Sequence, residues 1–202
     1  SFYPLTYEVG KASSNKPLAL EIFSKKITKN DNPIVIIGKG VTFDSGGLNL
    51  KPGNTMRYMK KDMGGAAIAI SLFLILKKLL KKTKLALIIP LAENSISDNA
   101  MRPGDVLKAA NNKTVEITNT DAEGRLLLAD AIVRSKSLNP ELIIDFATLT
   151  GAARVALGED LPAYYTNNDK IAKKISSTNY SNSIWRMPLY EKYLNKMNSE
   201  VA

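Results

Sequence analysis

Apolar residues fall in short blocks separated by glycine, proline and polar turns. Positions 18–23 and the run 34–37, entered from Pro33 and left through Gly38, have the length and composition of strands, the second buried on both faces. A helical pattern covers 57–82, weakened at its start by Gly64 and Gly65. Further strands are predicted at 85–90, 114–118 and 142–147, with an edge strand at 163–166. Helices are predicted at 122–137, with Asp121 placed to cap it and Glu123 in its first turn, and at 151–157, 169–177 and 188–198. Strands that alternate with helices and read as continuous apolar runs imply an α/β fold with a sheet covered on both faces. In such folds ligands gather beyond the carboxyl ends of the strands. The polar runs GKGVTFDSGG, NTDAEGR and ATLTGA all stand at such ends.

The chemistry of those runs is carboxylate chemistry. Asp44, Asp62, Asp121 and Glu123 lie in apolar, glycine-rich surroundings where isolated anions are costly. The chain has no histidine and no cysteine. That excludes a Ser-His-Asp triad, HExxH zinc binding, thiol nucleophiles and disulfides. Oxygen ligands can still hold a hard divalent cation. GKGVTFDSGG is no phosphate loop: GxxxxGK[ST] is missing, and Asp44 would repel phosphate. Each motif also has a plain structural explanation. GKGVTFDSGG could be a tight glycine loop, Asp121 a helix cap beside a surface charge pair, and Lys51 and Asp62 a distant ion pair or dipole charges. If 119–123 is extended, Asp121 and Glu123 point the same way. Met56, Met59 and Met63 at helical spacing read as core, and Trp185 near Pro188 as a packing anchor.

The formal net charge of +9 admits a nucleic-acid or anionic-lipid partner. The lysines are scattered, however, and the densest group (Lys77, Lys78, Lys81, Lys82) follows an apolar helix as its solvated end, so the charge carries little weight. The apolar stretch 66–76 is far shorter than the roughly 20 residues of a membrane span. No signal peptide opens the chain.

Taken together, GKGVTFDSGG…K…DMGGAA, NTDAEGRL, ATLTGA and WRMPL closely resemble the leucyl (cytosol) aminopeptidase family of dinuclear metallopeptidases, over nearly the whole chain. The resemblance implies a mixed, largely parallel sheet sandwiched between helices, of the phosphorylase/hydrolase-like type. It implies that 1–202 is a partial catalytic domain, without the family's N-terminal domain and the end of the catalytic domain. It implies hydrolysis of the N-terminal residue of peptides, preferably leucine or another apolar residue, by a two-metal, bridging-hydroxide mechanism. Two divalent ions (Mn²⁺ or Zn²⁺) would be held by Lys39, Asp44, Asp62, Asp121 and Glu123, with Asp44 and Glu123 bridging. Lys51 and Arg125 match the catalytic positions, Arg125 holding bicarbonate. Met59, Thr148, Leu149 and Gly151 match positions of the substrate site. A cytoplasmic homohexamer is the assembly the resemblance implies. Some members of the family also regulate DNA, which the positive charge leaves as the second reading.

Overall fold

The computed structural model describes residues 2–28 and 30–202. They form two compact units, one reaching to Thr148 and including Val201 and Ala202, the other Leu149–Glu200.

The first unit is built on a five-stranded sheet. Helix α1 (Pro4–Gly10) precedes strand β1 (Leu18–Phe23), then β2 (Ile34–Gly38) and β3 (Gly40–Asp44). A 3-10 segment (Gly53–Lys61) leads into helix α2 (Gly64–Leu79) and strand β4 (Leu85–Asn94). A small hairpin of β5 (Val106–Lys108) and β6 (Thr114–Glu116) follows. A 3-10 turn (Thr120–Ala122) then opens helix α3 (Glu123–Lys136), and β7 (Leu142–Phe146) closes the unit. The sheet order is β1-β4-β2-β7, with β3 also on β4. β1 is antiparallel to β4, and the other pairings are parallel.

The two-residue period of the strands decides the layers. Ile36, Leu85, Leu87 and Ile89 face one way and pack with Ala66, Ala69 and Phe73 of α2. Val35, Ile37, Ala86 and Ile88 face the other way, against Leu128 and Ala131 of α3. A third cluster joins Leu5 and Val9 of α1 to Val41, Ala92 and Leu127. The expected sheet between helices is therefore present. β1 is an edge strand and remains largely exposed, Leu18 at 66%.

β2 and β3 run along the same side of β4 as one interrupted strand. β2 pairs with Leu85–Ile88 register positions, and β3 with Leu91, Ala92 and Asn94. Lys39 is the interruption: its N–H donates to Phe146 O (2.9 Å) and its carbonyl accepts from Ala66 N (2.9 Å). α2 can lie this close only because residue 65 is glycine; a Cβ there would collide with the Phe146 carbonyl.

Several expectations are corrected. The helical pattern over 57–82 divides into the 3-10 segment and α2, the break coming at Asp62 and Met63. α1, β3 and β5 add elements not predicted from the sequence. Met56 and Met59 are only half-buried and Met63 is exposed, so this methionine row is not core. Met56 and Met59 lie on the 3-10 segment, which has no buried residue, and Met63 lies beyond it at the start of α2. Asp121 does not cap α3: the capping position is Ala122, and it is Asn119 Oδ1 that accepts the Asp121 N–H (2.8 Å). The intervening 3-10 turn displaces the cap and also means that 119–123 is not extended throughout.

In the second unit, helix α4 (Ala152–Leu157) is followed by β8 (Ala163–Tyr164), helix α5 (Asp169–Ser176) and β9 (Trp185–Arg186), which pairs in parallel with β8. Asn168 Oδ1 caps α5, and Arg186 reaches back to Asp169 (2.6 Å). Trp185 is 56% exposed and held by its backbone bond to Pro162 O rather than by packing of its ring. The expected helix over 188–198 is a 3-10 segment, Glu191–Met197.

Candidate metal centre

The carboxyl ends of the parallel strands bring the polar runs together. Lys39 follows β2, Asp44 ends β3, Asn94 ends β4 and Thr148 follows β7. The 3-10 turn and first residue of α3 supply Asp121 and Glu123. Carboxylate oxygens of Asp44, Asp121 and Glu123 lie within 4.8 Å of one another.

Two lysines penetrate this group. Lys39, 2% exposed, places Nζ 2.7 Å from Asp62 Oδ2 and 3.0 Å from Glu123 Oε1, and donates to Thr148 O (3.1 Å). Lys51 lies 2.9 Å from Asp44 Oδ2 and 2.5 Å from Asp121 Oδ1. The remaining oxygens of two carboxylates have neutral donors. Asp44 Oδ1 accepts from Gly46 N (2.9 Å) and Asn94 Nδ2 (2.8 Å). Asp62 Oδ1 accepts from Thr148 Oγ1 (2.8 Å). Gly46 and Gly47, both at positive φ, make the turn that aims the Asp44–Lys51 loop back at the centre.

The electrostatics do not balance. Four carboxylates face two ammonium groups, which leaves two negative charges in a largely buried place. Glu123 Oε2 is buried without a hydrogen-bond partner among the described residues. Burial pushes the Glu123 carboxyl up to about 7; Lys39 pulls it back, and the nearby Asp44 and Asp62 charges add to the rise. Asp121 is likewise raised, by burial first and by Asp44, against the pull of Lys51. Burial alone would lower the Lys51 ammonium, but its hydrogen bonds to Asp121 and Asp44 outweigh that and raise it. Surplus anionic oxygen in a dry site, supplied by carboxylates and one amine, suits a hard divalent cation. The donor set fits such an ion.

Among the remaining residues singled out from the sequence, Thr148 reaches the centre directly. Met59 stands on the 3-10 segment, and its carbonyl accepts from Asp62 N. Leu149 and Gly151 belong to the second unit, Leu149 exposed and Gly151 just before α4. Arg125 is exposed in the first turn of α3 with no ion-pair partner among the described residues.

Three residues of the centre were not read from the sequence. Asn94 and Thr120 hold it by hydrogen bonds. Gly124 leaves room for Lys39: a Cβ at 124 would lie 2.6 Å from Lys39 Cε. The glycine after the two acidic residues of NTDAEGRL was the available signal, since an ion pair on a helix surface does not call for one.

The class defined so far is an α/β protein with a cluster of lysines and carboxylates at the strand ends that could hold a metal ion. Residues 2–202 match the cytosol aminopeptidase family, catalytic domain, and the chain belongs to that family. It is 44% identical over 199 residues to a probable cytosol aminopeptidase of Fusobacterium nucleatum, covering 96% of this chain and 41% of that protein. Identity is 45% over 196 residues to a cytosol aminopeptidase of Encephalitozoon cuniculi, covering 96% and 40%. A crystal structure of cytosol aminopeptidase from Coxiella burnetii superposes with a TM-score of 0.92 at 46% identity, covering 99% of this chain and 44% of that one. The bottromycin maturation enzyme BotP in complex with Mn gives 0.89 at 38% identity, covering 99% and 44%. The chain thus spans less than half the length of these relatives. No helix among the described residues is long and apolar enough to cross a membrane.

Proposed function

We propose that the protein is a metal-dependent aminopeptidase that removes the N-terminal residue of peptides, preferring leucine and other apolar residues. The observation that carries this reading is the unbalanced anionic centre, with Glu123 Oε2 buried and unpartnered. It is joined by family membership and by likeness to a Mn complex.

Two divalent ions, Mn²⁺ or Zn²⁺, are assigned to Lys39, Asp44, Asp62, Asp121 and Glu123. When bound, they supply hydroxide near neutral pH and a Lewis acid for the scissile carbonyl. The other steps fall to this chain's side chains. Lys39 could ligate only as the neutral amine, so in the loaded centre its ammonium would have given up a proton. With those carboxylates engaged by the ions, Lys51 would be free of Asp44 and Asp121, and its Nζ would donate to the oxygen on which negative charge develops. Arg125 cannot act as a base. Its planar guanidinium, without an ion-pair partner among the described residues, would hold a bicarbonate, which would supply the proton acceptor that Arg125 cannot be. Thr148 keeps Asp62 oriented, and with Met59, Leu149 and Gly151 is assigned to the substrate's first residue and its amine. A cytoplasmic homohexamer remains the proposed assembly.

The test is hydrolysis of leucine p-nitroanilide by protein stripped with chelator and then reloaded with Mn²⁺ or Zn²⁺. Activity should vanish on stripping and return on reloading, and the N-acetylated anilide should resist cleavage. Full activity after verified metal removal, or equal cleavage of the acetylated substrate, would sink the proposal.

A further inference from the structure

Asn94 is 2% exposed and ends β4 directly opposite Asp44 in the parallel register. Its Nδ2 donates to Asp44 Oδ1 (2.8 Å) and to the Thr120 carbonyl (3.1 Å). Its own carbonyl accepts from Ser45 N (3.0 Å) and Ser45 Oγ (2.7 Å). One buried residue therefore grips both sides of the centre: the turn that follows Asp44 and the peptide that precedes Asp121. Thr120 is fully buried, and its hydroxyl, donating to Gly46 O (2.7 Å), closes the same ring of bonds.

The consequence is directional. Asp44 Oδ1 already takes two N–H donors, from Gly46 and Asn94, so that oxygen is committed to the protein. Asp44 Oδ2 is left to face the cationic position, where Lys51 now lies. The amide's second N–H, on Thr120 O, fixes the backbone from which Asp121 projects. Without it, the Asp44 carboxylate loses the side-chain donor that fixes Oδ1, and the Thr120–Asp121 backbone loses its direct bond to the residue that orients Asp44. Anchors of this kind govern how well a ligand set holds its metal.

We infer that Asn94 is a positioning residue for the metal centre, orienting Asp44 and placing Asp121 so that both present their free oxygens to the same cation. This rests on the metal-centre reading above. Asn94 touches neither substrate nor reacting atoms. Its effect should therefore appear in metal affinity and not in substrate affinity once metal is saturating.

The experiment measures Mn²⁺ binding by the EPR signal of free Mn²⁺ in the parent protein, Asp44→Ala, Asn94→Leu and Asn94→Ser. Leucine keeps the branched heavy-atom shape but removes both donors, and serine is smaller and too short to reach both acceptors. Circular dichroism and thermal unfolding in chelator establish that each variant is folded. Either folded Asn94 variant should bind Mn²⁺ about 10–100-fold more weakly than the parent. At saturating Mn²⁺ its KM for leucine p-nitroanilide should stay within about twofold, while the Mn²⁺ concentration for half-maximal activity rises by the same factor as the dissociation constant. Parent-like Mn²⁺ affinity in a folded variant overturns the inference, as does a raised KM with unchanged affinity. Failure of both variants to fold also overturns it, because Asn94 would then act as a fold residue. No Mn²⁺ binding by the parent, or undiminished binding by Asp44→Ala, instead overturns the metal-centre reading itself.

Discussion

Substituting Gly124 by alanine should damage the protein although alanine is the better helix former. Gly124 is the second residue of α3, where the exchange would ordinarily gain up to about 1 kcal/mol. Here the new Cβ would stand 2.6, 2.8 and 2.9 Å from Lys39 Cε, Nζ and Cδ. Carbon atoms rest about 3.5–4.0 Å apart, so the lysine chain must retreat by about 1 Å. Its ammonium is held at 2.7, 3.0 and 3.1 Å by Asp62, Glu123 and Thr148, and a 1 Å retreat breaks at least one of these contacts. Overpacking costs about 1–3 kcal/mol, and a lost charge-assisted hydrogen bond about 1.5–3 kcal/mol. After the helix gain, the net loss is about 1.5–5 kcal/mol. At roughly 2–4 °C per kcal/mol for a domain of this size, Tm should fall by about 3–20 °C. Calorimetry in chelator measures this without metal. Because the displaced Lys39 is also a proposed ligand, Mn²⁺ affinity should fall as well. An unchanged or higher Tm would refute the packing argument, and lower Tm with parent-like metal affinity would refute the role of Lys39 as a ligand.

Asp44→Ala and Glu123→Ala should each lose both ions, because each is assigned to bridge them; full occupancy by metal analysis in either would reject the bridging role. Lys51→Ala should keep its metals yet lose about 10²–10³ in kcat; near-normal turnover, or missing metal, would contradict its assignment. Arg125→Ala and Arg125→Lys should turn over slowly with near-parent KM, and in carbonate-depleted buffer added bicarbonate should stimulate only the parent. Stimulation of all three alike, or of none, counts against an anion at Arg125. Far from the centre, Glu21 accepts from Tyr3 (2.5 Å) and from Arg134 Nε and Nη2 (2.8 and 2.7 Å). Burial would raise the Glu21 carboxyl, but the bonds from Arg134 and Tyr3 outweigh it and hold it below 4.5. A folded pKa below the unfolded one stabilises above the unfolded value, and the benefit disappears as pH falls through the folded value. Glu21→Gln should therefore cost about 1 kcal/mol near pH 7, discounted for partial exposure, and the difference should close in acid below 4.5. A pH-independent difference in denaturation midpoints would refute the ionic origin.

How much of this was legible beforehand depended on whether a feature is local along the chain. The strands of the core announce themselves because Ile34 to Ile37 and Leu85 to Ile89 are apolar without interruption, which only a sheet covered on both faces requires. The centre's ligands were legible as anions without a local excuse in a chain without histidine or cysteine, and the motif resemblance supplied their proposed grouping. Elements whose identity rests on distant partners were not legible. β3 reads as a polar glycine loop because its pairing with the far half of β4 supplies the hydrogen bonds that make it a strand. α1 is short, and its docking depends on Asp130, 124 residues later, accepting from Thr6 N and Oγ1. The methionine row misled because helical spacing describes a face only where the segment is an α-helix, and this one is 3-10.

By itself, then, the order of residues determined which side chains carry charge, which runs must be buried, and that Asp44, Asp62, Asp121 and Glu123 are anions in apolar surroundings. Tertiary structure alone decided how these anions are held: Asn94 on Asp44 and on the Thr120 carbonyl, Thr148 on Asp62, and Gly124 yielding space to Lys39. The physical reason is that charge and hydrophobicity belong to residues, whereas hydrogen-bond direction and excluded volume belong to pairs, and these pairs are separated by 26 to 86 positions in the chain.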